Sequence, residues 1–186
     1  MNDETMVIPG QMTELELAEL GKVASLVRPN GCAVEIGSLY GLSSAVIAKS
    51  ISEKATLFCV DPWVREPWII ELVEKKTAGC PQFSKDAFMQ FTGMHLNIVP
   101  LQGYSPKDFL GWNIEIDLLF EDSMHQNPEL NNTLCHWSKH LRKGGIICGH
   151  DYCEQWPDVI LEVDKMAAEL GITPLICETF WWMQTK

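Results

Sequence analysis

The pattern that decides the fold is VEIGSLYGLSS, residues 34–44. A short apolar run ends at Glu35-Ile36, which is typical of a buried strand. The residues from Leu42 to Ile51 then have the composition of a helix. Gly37 and Gly41 lie between the two, where a backbone without side chains can approach a ligand closely. The pattern therefore predicts a strand, a glycine-rich turn and a helix.

Strands alternate with helices on both sides of this unit. A capping box at Thr13–Glu16 begins a helix that ends before Pro29-Asn30-Gly31. Further strands are predicted at Thr56–Val60, Leu96–Pro100, Ile116–Phe120, Ile146–Cys148, Thr173–Cys177 and Phe180–Gln184. Further helices are predicted at Ser84–Met94, from Asn127 to a stop at Lys143-Gly144-Gly145, and at Val159–Leu170. Nearly continuous apolar strands between helices predict a parallel sheet covered on both faces. The last two strands are too close for a parallel crossover, so at least one is antiparallel.

Charge and composition limit the classes of partner that this protein is expected to bind. The net charge is −11 and the 14 Lys and Arg residues are scattered, which disfavours nucleic acid and favours a small-molecule partner. No apolar run reaches the roughly 20 residues that span a bilayer. The first residues lack the basic-then-apolar order of a signal peptide, so we expect a cytoplasmic protein with no membrane partner. We therefore expect the seven cysteines to be reduced thiols.

Asp61 is the second candidate binding residue, because it ends the second strand about 20 residues after the glycine turn. A carboxylate at that place accepts hydrogen bonds from a ribose diol, and the amides at the start of the helix after the glycine turn suit an anion. The alternative is that Asp61-Pro62 only starts a turn. The turn is neither a dinucleotide fingerprint nor a phosphate-binding loop, since the glycines at 37 and 41 stand alone.

Polar residues also follow the fourth and fifth strands. Asp122 and His125 lie in DLLFEDSMHQ (117–126), and His150 and Asp151 lie in GGIICGHDY (144–152). These strand ends are expected to be neighbours, so the carboxylates would repel one another. A divalent cation such as Mg²⁺ or Mn²⁺ removes that cost. His125 is also a candidate general base, with His150 as its competitor.

Taken together, these residues resemble class I S-adenosylmethionine-dependent methyltransferases. The motif that carries the resemblance is Glu35-x-Gly37-x-x-x-Gly41, followed by Ser43-Ser44, Asp61 and the late strand pair. PLQGYS (100–105), DLLFEDSMH and GHDY are more narrowly similar to the small-molecule O-methyltransferases of the macrocin O-methyltransferase and cephalosporin hydroxylase-like group. The resemblance covers residues 12–186.

The resemblance implies a Rossmann-like three-layer α/β sandwich, with a seven-stranded, mostly parallel sheet and an antiparallel final strand. We expect one domain over residues 1–186, with a flexible N-terminus at 1–11 and a lid or acceptor segment at 62–95. The alternative for the aromatic residues of that segment is ordinary core. The implied function is methyl transfer from S-adenosylmethionine to a small-molecule acceptor, at a hydroxyl oxygen.

The resemblance also assigns residues to roles. Cofactor binding is assigned to Glu35, Gly37, Gly41, Ser43, Ser44, Asp61, Trp63, Gln102, Gly103 and Asp122. In this assignment Ser43 and Ser44 offer amides or hydroxyls to the cofactor carboxylate, and Gln102-Gly103 lines the adenine side. Trp63 either lies near the adenine or belongs to the core or lid.

The metal ligands implied by the resemblance are Asp122, Asp151 and, more weakly, His150. Alternatively, Asp122 contacts only the cofactor and His150 only the backbone. Met124 stands where relatives carry an acid, which is a departure from the family pattern. Two rival functions stay open: a metal-dependent enzyme of another class on this sheet, and a non-catalytic cofactor-binding protein. The acceptor, the base and a homo-oligomeric state are left open.

Overall fold

A computed structural model describes residues 7–77 and 79–186, and it contains one seven-stranded sheet. The strands are β1 (Cys32–Ile36), β2 (Thr56–Asp61), β3 (Ile98–Gln102), β4 (Ile116–Glu121), β5 (Leu141–Gly149), β6 (Leu175–Cys177) and β7 (Phe180–Gln184). Their order is β3-β2-β1-β4-β5-β7-β6. Pairs among β1 to β5 are parallel, whereas β7 is antiparallel to both of its neighbours. The predicted fold class is confirmed.

Helices cover both faces of the sheet. They are α1 (Glu14–Ala24), α2 (Leu42–Ser50), α3 (Pro67–Ile69), α4 (Lys85–Thr92), α5 (Glu129–Trp137) and α6 (Pro157–Leu170). One core cluster joins α1, α2 and α4 to the sheet, and a second joins α5 and α6 to its other face. Successive strand residues alternate between them, so Ala33 packs in the first and Val34 in the second. None of the described helices is long and apolar enough to cross a membrane.

Among the boundaries that differ from the sequence prediction, two have a clear physical reason in the pairing of strands. β3 begins at Ile98 instead of Leu96, because Ile98 is the residue that pairs with Leu57 and Leu96 is almost fully exposed. The helix stop predicted at Lys143-Gly144-Gly145 is wrong. The helix and a following 3-10 turn end at His140, and the glycines belong to β5. Gly144 has φ +69° in that strand, next to a register shift against β4.

The segment 62–95 is more regular than the sequence suggests. α3 continues into a π-helical turn at Ile70–Glu74, and α4 follows with Ser84 as its cap. Glu74 anchors the segment, since its carboxylate accepts hydrogen bonds from Arg65, Tyr40 and the amide of Phe83. Four of its aromatic residues belong to the core, namely Trp63, Phe83, Phe88 and Phe91. Of the five aromatic residues expected to form a lid, only Trp68 is exposed.

The first residues of the chain fall partly outside the described ranges. Of the stretch 1–11 that was expected to be flexible, residues 1–6 lie outside the described ranges. Among the next residues, Pro9 is buried and Ile8 packs against the core cluster of α1, α2 and α4. Gly10 lies against the side chain of Leu42, at the start of α2. The segment before α1 therefore packs against the helix that follows the glycine turn.

Candidate functional site

Backbone hydrogen bonds hold the carboxyl ends of the central strands together. The amide of Asp122 donates to Ile36 O at 2.9 Å, which ties the residue after β4 to the end of β1. The amide of His150 donates to Glu121 O at 3.3 Å, which joins the end of β5 to β4. The residues that follow β1, β4 and β5 are thereby brought to one place on the sheet edge, as the sequence predicted.

Both glycines of the turn are required by close protein contacts. Gly37 has φ +87°, and a Cβ there would lie 2.2 Å from Asp122 O. Gly41 has φ +96°, and a Cβ there would lie 2.4 Å from Thr92 Cγ2. Both conformations favour glycine. The atoms that approach these glycines belong to the loop after β4 and to α4, so the predicted close approach is to protein.

Glu35 forms a buried polar cluster beneath the turn. Its side chain is fully buried and accepts hydrogen bonds from Ser43 Oγ at 2.6 Å and from Ser44 Oγ. Burial raises the pKa of Glu35, against the lowering effect of these hydroxyls. The hydroxyls of Ser43 and Ser44 are therefore directed inward. The start of α2 has no side-chain cap, so its first-turn amides are available to an anion.

Asp61 fastens the glycine turn to the end of β2. Its Oδ2 accepts from the amides of Ser38 and Leu39, each at 3.0 Å, and its Oδ1 accepts from the amide of Trp63 at 2.6 Å. Burial raises the pKa of Asp61 to about 6, although these amides act in the opposite direction. Oδ1 has a single backbone donor, so this oxygen keeps a lone pair for a hydroxyl.

The residues predicted on the adenine side have different surroundings. Trp63 is 5% exposed, its Nε1 donates to Leu39 O at 3.1 Å, and its ring packs on Phe88. This is the core alternative for Trp63. Gln102 is exposed at the end of β3, and its Nε2 donates to Pro62 O at 3.1 Å. Gly103 follows it, and its amide donates to Asp61 O at 3.1 Å.

Three side chains beyond β4 and β5 are close enough to share a cation. Ligand atoms of Asp122, His125 and Asp151 all lie within 4.8 Å of one another. His125 Nε2 is 2.8 Å from Asp151 Oδ2 and 3.7 Å from Asp122 Oδ1. Although this nitrogen is buried, none of the described residues offers it a properly directed hydrogen bond. The His125 ring stacks on Trp156 with centroids 4.7 Å apart, which fixes its orientation.

His150, the third metal ligand predicted from the sequence, takes a different position. Its Nδ1 lies 3.4 Å from Asp151 Oδ2 and 3.8 Å from Asp122 Oδ1. Its Nε2 contacts Glu16 Oε2 at 3.2 Å and Thr179 Oγ1 at 3.0 Å. The structure therefore places His125, and not His150, in the three-residue cluster. His150 lies against the same carboxylates from the side of α1.

Electrostatics within the cluster favour protonated imidazoles. Burial lowers the pKa of His125, but Asp122 and Asp151 outweigh it and raise the pKa to about 10. For His150, burial is likewise outweighed by Asp151 and Asp122, and the pKa rises to about 9. Burial acts to raise the pKa of Asp151, but the two histidines hold it below its usual range. A protonated imidazole accepts no proton, so this arrangement favours a positive charge between the carboxylates over a neutral base.

Sequence reasoning missed three residues of the site. Trp156 stacks on His125, and Glu16 and Thr179 contact His150. In the sequence Glu16 is recognisable only as part of a capping box, a role that it also has in the structure. No local pattern connects it to a histidine that lies 134 residues away. The capping-box pair Thr13 and Glu16 is the one sequence feature that draws attention to Glu16.

The sheet order and the turn after β1 define a class I S-adenosylmethionine-dependent methyltransferase fold. The methyltransferase domain family matches residues 34–152, from β1 to the residues after β5. The chain belongs to this family. No curated protein matches the sequence.

Solved structures share the fold at low sequence identity. A methyltransferase from Geobacter sulfurreducens has a TM-score of 0.64 and 15% identity, covering 94% of this chain and 79% of that protein. A precorrin-6y C5,15-methyltransferase from Geobacter metallireducens has a TM-score of 0.66 and 13% identity, covering 100% and 97%. A TDP-rhamnose 3'-O-methyltransferase of calicheamicin biosynthesis has a TM-score of 0.62 and 15% identity, covering 91% and 78%. The chain is therefore similar in fold to methyltransferases whose named substrates differ.

Proposed function

We propose that this protein transfers a methyl group from S-adenosylmethionine to a hydroxyl oxygen of a small-molecule acceptor, with a divalent cation at Asp122, His125 and Asp151. The observation that carries the proposal is this cluster of potential ligands, next to the glycine turn of a methyltransferase-family domain. The similarity in fold to a sugar O-methyltransferase supports a hydroxyl acceptor. The net charge of −11 favours an acceptor that is not an anion.

The residues around the turn fit S-adenosylmethionine. The uncapped amides at the start of α2 suit its carboxylate. The open lone pair on Asp61 Oδ1 suits a ribose hydroxyl. Ser38 Oγ in the turn is buried without a hydrogen-bond partner among the described residues, so a donor or acceptor is available there. Glu35, Ser43 and Ser44 support the turn from below through their own hydrogen bonds.

The residues beyond β4 and β5 fit a divalent cation. Two carboxylates and an imidazole suit a divalent cation such as Mn²⁺, which would replace the proton of His125, and the buried Nε2 of His125 has no properly directed hydrogen bond among the described residues. When bound, such an ion lowers the pKa of an acceptor hydroxyl and holds its oxygen. Asp122 and Asp151 supply the charge for the ion, while stacking on Trp156 holds His125 in place.

In the proposed reaction the acceptor oxygen attacks the sulfonium methyl group in line with the leaving sulfur. The new C–O bond forms as the C–S bond breaks, which gives the methyl ether and S-adenosylhomocysteine, and the hydroxyl proton passes to solvent. The contribution of the chain is alignment of the two reactants and exclusion of water. Backbone hydrogen bonds between the ends of β1, β4 and β5 hold the glycine turn and the proposed cation site at fixed positions relative to each other.

Calorimetry separates this proposal from its two rivals. We expect the protein to bind S-adenosylmethionine in the micromolar range, and absence of binding at millimolar concentrations would overturn the proposal. A non-catalytic binding protein would bind the cofactor but transfer no methyl group to a panel of hydroxylated compounds. A metal enzyme of another class would bind Mn²⁺ without the cofactor. Methyl transfer that is unchanged in EDTA would remove the cation from the proposal.

A further inference from the structure

Glu16 is a buried carboxylate that the proposed reaction does not use directly. It lies in the first turn of α1 and is 2% exposed. Its Oε2 contacts His150 Nε2 at 3.2 Å and accepts from the amide of Thr13 at 2.9 Å. Its Oε1 accepts from the amide of Thr179 at 2.9 Å and from Thr179 Oγ1 at 2.7 Å. One carboxylate thus joins α1, the turn between β6 and β7, and the end of β5.

We propose that Glu16, assisted by Thr179, is a positioning residue that directs Nδ1 of His150 at the Asp122–Asp151 pair and makes His150 the fourth ligand of the cation site. The inference rests on the cation of the proposed function. It extends that site to α1, outside the stretch 34–152 that matches the family.

The hydrogen-bond pattern around His150 determines which of its nitrogens carries the proton. Thr179 Oγ1 donates its single proton to Glu16 Oε1, so toward His150 Nε2 this oxygen can only accept. Glu16 Oε2 is also an acceptor. Both groups that face Nε2 therefore require an N–H there. Nδ1 is therefore the nitrogen that faces the carboxylates, 3.4 Å from Asp151 Oδ2 and 3.8 Å from Asp122 Oδ1, as an N–H in the protonated ring and as a lone pair once a metal cation replaces that proton.

A lone pair on Nδ1 would be repelled by the two carboxylates, so either a proton or a metal cation stands between them. A histidine whose second nitrogen donates to a carboxylate is the usual arrangement behind a metal ligand, because the carboxylate fixes both the ring orientation and the tautomer. Glu16 has this relationship to His150. The competing explanation is that Glu16 serves only the capping box and the turn at Thr179, which would make its effect purely structural.

The decisive comparison is Glu16→Gln against Glu14→Gln. Glutamine is accepted at this position of a capping box, so α1 keeps its start, but the amide no longer presents a carboxylate to His150. Glu14 is exposed in the same helical turn, so its substitution matches the change in charge. We expect Mn²⁺ affinity, measured by calorimetry on the metal-free full chain, to fall about 10–100-fold in Glu16→Gln and to change less than about twofold in Glu14→Gln.

A second pair, at Thr179, keeps the test decisive should Glu16→Gln fail to fold. Thr179→Val removes the hydroxyl that faces His150, and Thr179→Ser restores it. We expect about tenfold weaker Mn²⁺ binding for the valine variant and near wild-type binding for the serine variant. A purely structural role predicts a loss of stability in urea with Mn²⁺ affinity unchanged, and that result would overturn the inference.

The outcomes also separate this inference from the proposed function. Wild-type protein that binds S-adenosylmethionine but no Mn²⁺ would overturn the cation and this inference together, while leaving methyl transfer in place. If the wild type binds Mn²⁺ and Glu16→Gln binds it equally tightly, only the role of Glu16 is overturned. Protein that binds Mn²⁺ but no cofactor would overturn the methyltransferase proposal, and the Glu16 comparison would still be measurable.

Discussion

Asp151 Oδ2 lies 2.8 Å from His125 Nε2, and this contact joins the end of β5 to the loop that follows β4. Asp151 has φ +63°, in the left-handed region, which Asp adopts more readily than most non-glycine residues. This backbone conformation holds the carboxylate of Asp151 against His125.

Asp151→Asn should weaken cation binding and spare the cofactor. The amide keeps the size of the side chain but lacks the negative charge that attracts a cation. We expect Mn²⁺ affinity to fall at least about tenfold, since a ligand matters at least as much as the residues that orient it. Calorimetry with Mn²⁺ and, separately, with S-adenosylmethionine measures both effects.

The matched control for that prediction is Asp86→Asn. Asp86 is an exposed acid in the first turn of α4, outside the cluster, and its substitution changes the net charge by the same amount. If both variants lost Mn²⁺ affinity equally, overall charge rather than coordination would be responsible, and the ligand role of Asp151 would be rejected.

Asp61→Asn should weaken both the fold and cofactor binding. Asp61 Oδ1 and Oδ2 together accept from three backbone amides, and an asparagine would turn N–H groups toward some of these donors. We expect the free energy of unfolding to fall by about 1–3 kcal/mol, the cost of leaving buried donors unpaired. Urea denaturation measures this loss. A variant with full stability would show that the amides find other partners.

The effect of Asp61→Asn on the affinity for S-adenosylmethionine is measured by calorimetry under conditions where the variant is folded. We expect weaker binding, because the ribose acceptor and the anchor of the glycine turn are changed together. The matched control is Asp108→Asn, which changes an exposed acid whose carboxylate accepts a hydrogen bond from the backbone amide of Tyr104. Equal cofactor affinity in wild type and Asp61→Asn would reject the ribose role.

Gly37→Ala should be far more damaging than Gly79→Ala. Both glycines have positive φ, at +87° and +72°, so each substitution carries the conformational cost of about 1–2 kcal/mol. At Gly37 the added Cβ would also lie 2.2 Å from Asp122 O, whereas at Gly79 it would meet no atom of the described residues within 4 Å. We expect an additional loss of unfolding free energy, together with weaker Mn²⁺ binding, only in Gly37→Ala. Equal losses in the two variants would contradict this.

Glu74 makes the stability of segment 62–95 depend on pH. The hydrogen bond from Arg65 holds the pKa of Glu74 at about 2, below its ordinary 4.5, and the amide of Phe83 adds to this effect. A folded-state pKa that is depressed means that the contribution is complete above pH 4.5 and is lost as pH falls toward 2. We expect Glu74→Gln to flatten the stability profile in this window.

The control for the pH prediction is Glu71→Gln on the same helical segment. Glu71 forms an exposed ion pair with Lys75, which contributes little to stability. Urea midpoints measured between pH 2 and pH 6 should therefore change slope in Glu74→Gln and follow the wild type in Glu71→Gln. Parallel profiles for wild type and Glu74→Gln would show that other carboxylates dominate the acid unfolding.

The sequence was sufficient to predict a residue's location wherever its position relative to the strands determines that location. Asp61, Asp122 and Asp151 follow strands, and the edge where parallel strands end is fixed by the alternation of strands and helices. The sequence was insufficient where contacts depend on the direction in which a side chain points. Whether His125 or His150 joins the carboxylates depends on Trp156 and Glu16, which lie on different helices or loops. The burial of Trp63 likewise depends on Phe88, a contact that no local pattern contains.

Backbone details escaped prediction for a related reason. Lys143-Gly144-Gly145 has the composition of a helix stop, but pairing with β4 extends β5 back to Leu141 and absorbs both glycines. Leu96 has strand propensity, yet the pairing of β2 with β3 begins at Ile98. In both cases tertiary pairing overrides the local preference.

The contact between Glu16 and Thr179 spans 163 residues of chain and has a consequence for biosynthesis. A ribosome releases the polypeptide from its N-terminal end, so Asp122, His125 and Asp151 leave the exit tunnel before Thr179 does. Until then His150 lacks one of its two orienting partners, and β7 is not available to pair with β5. We therefore expect the nascent protein to acquire its full cation affinity only after β7 has left the exit tunnel.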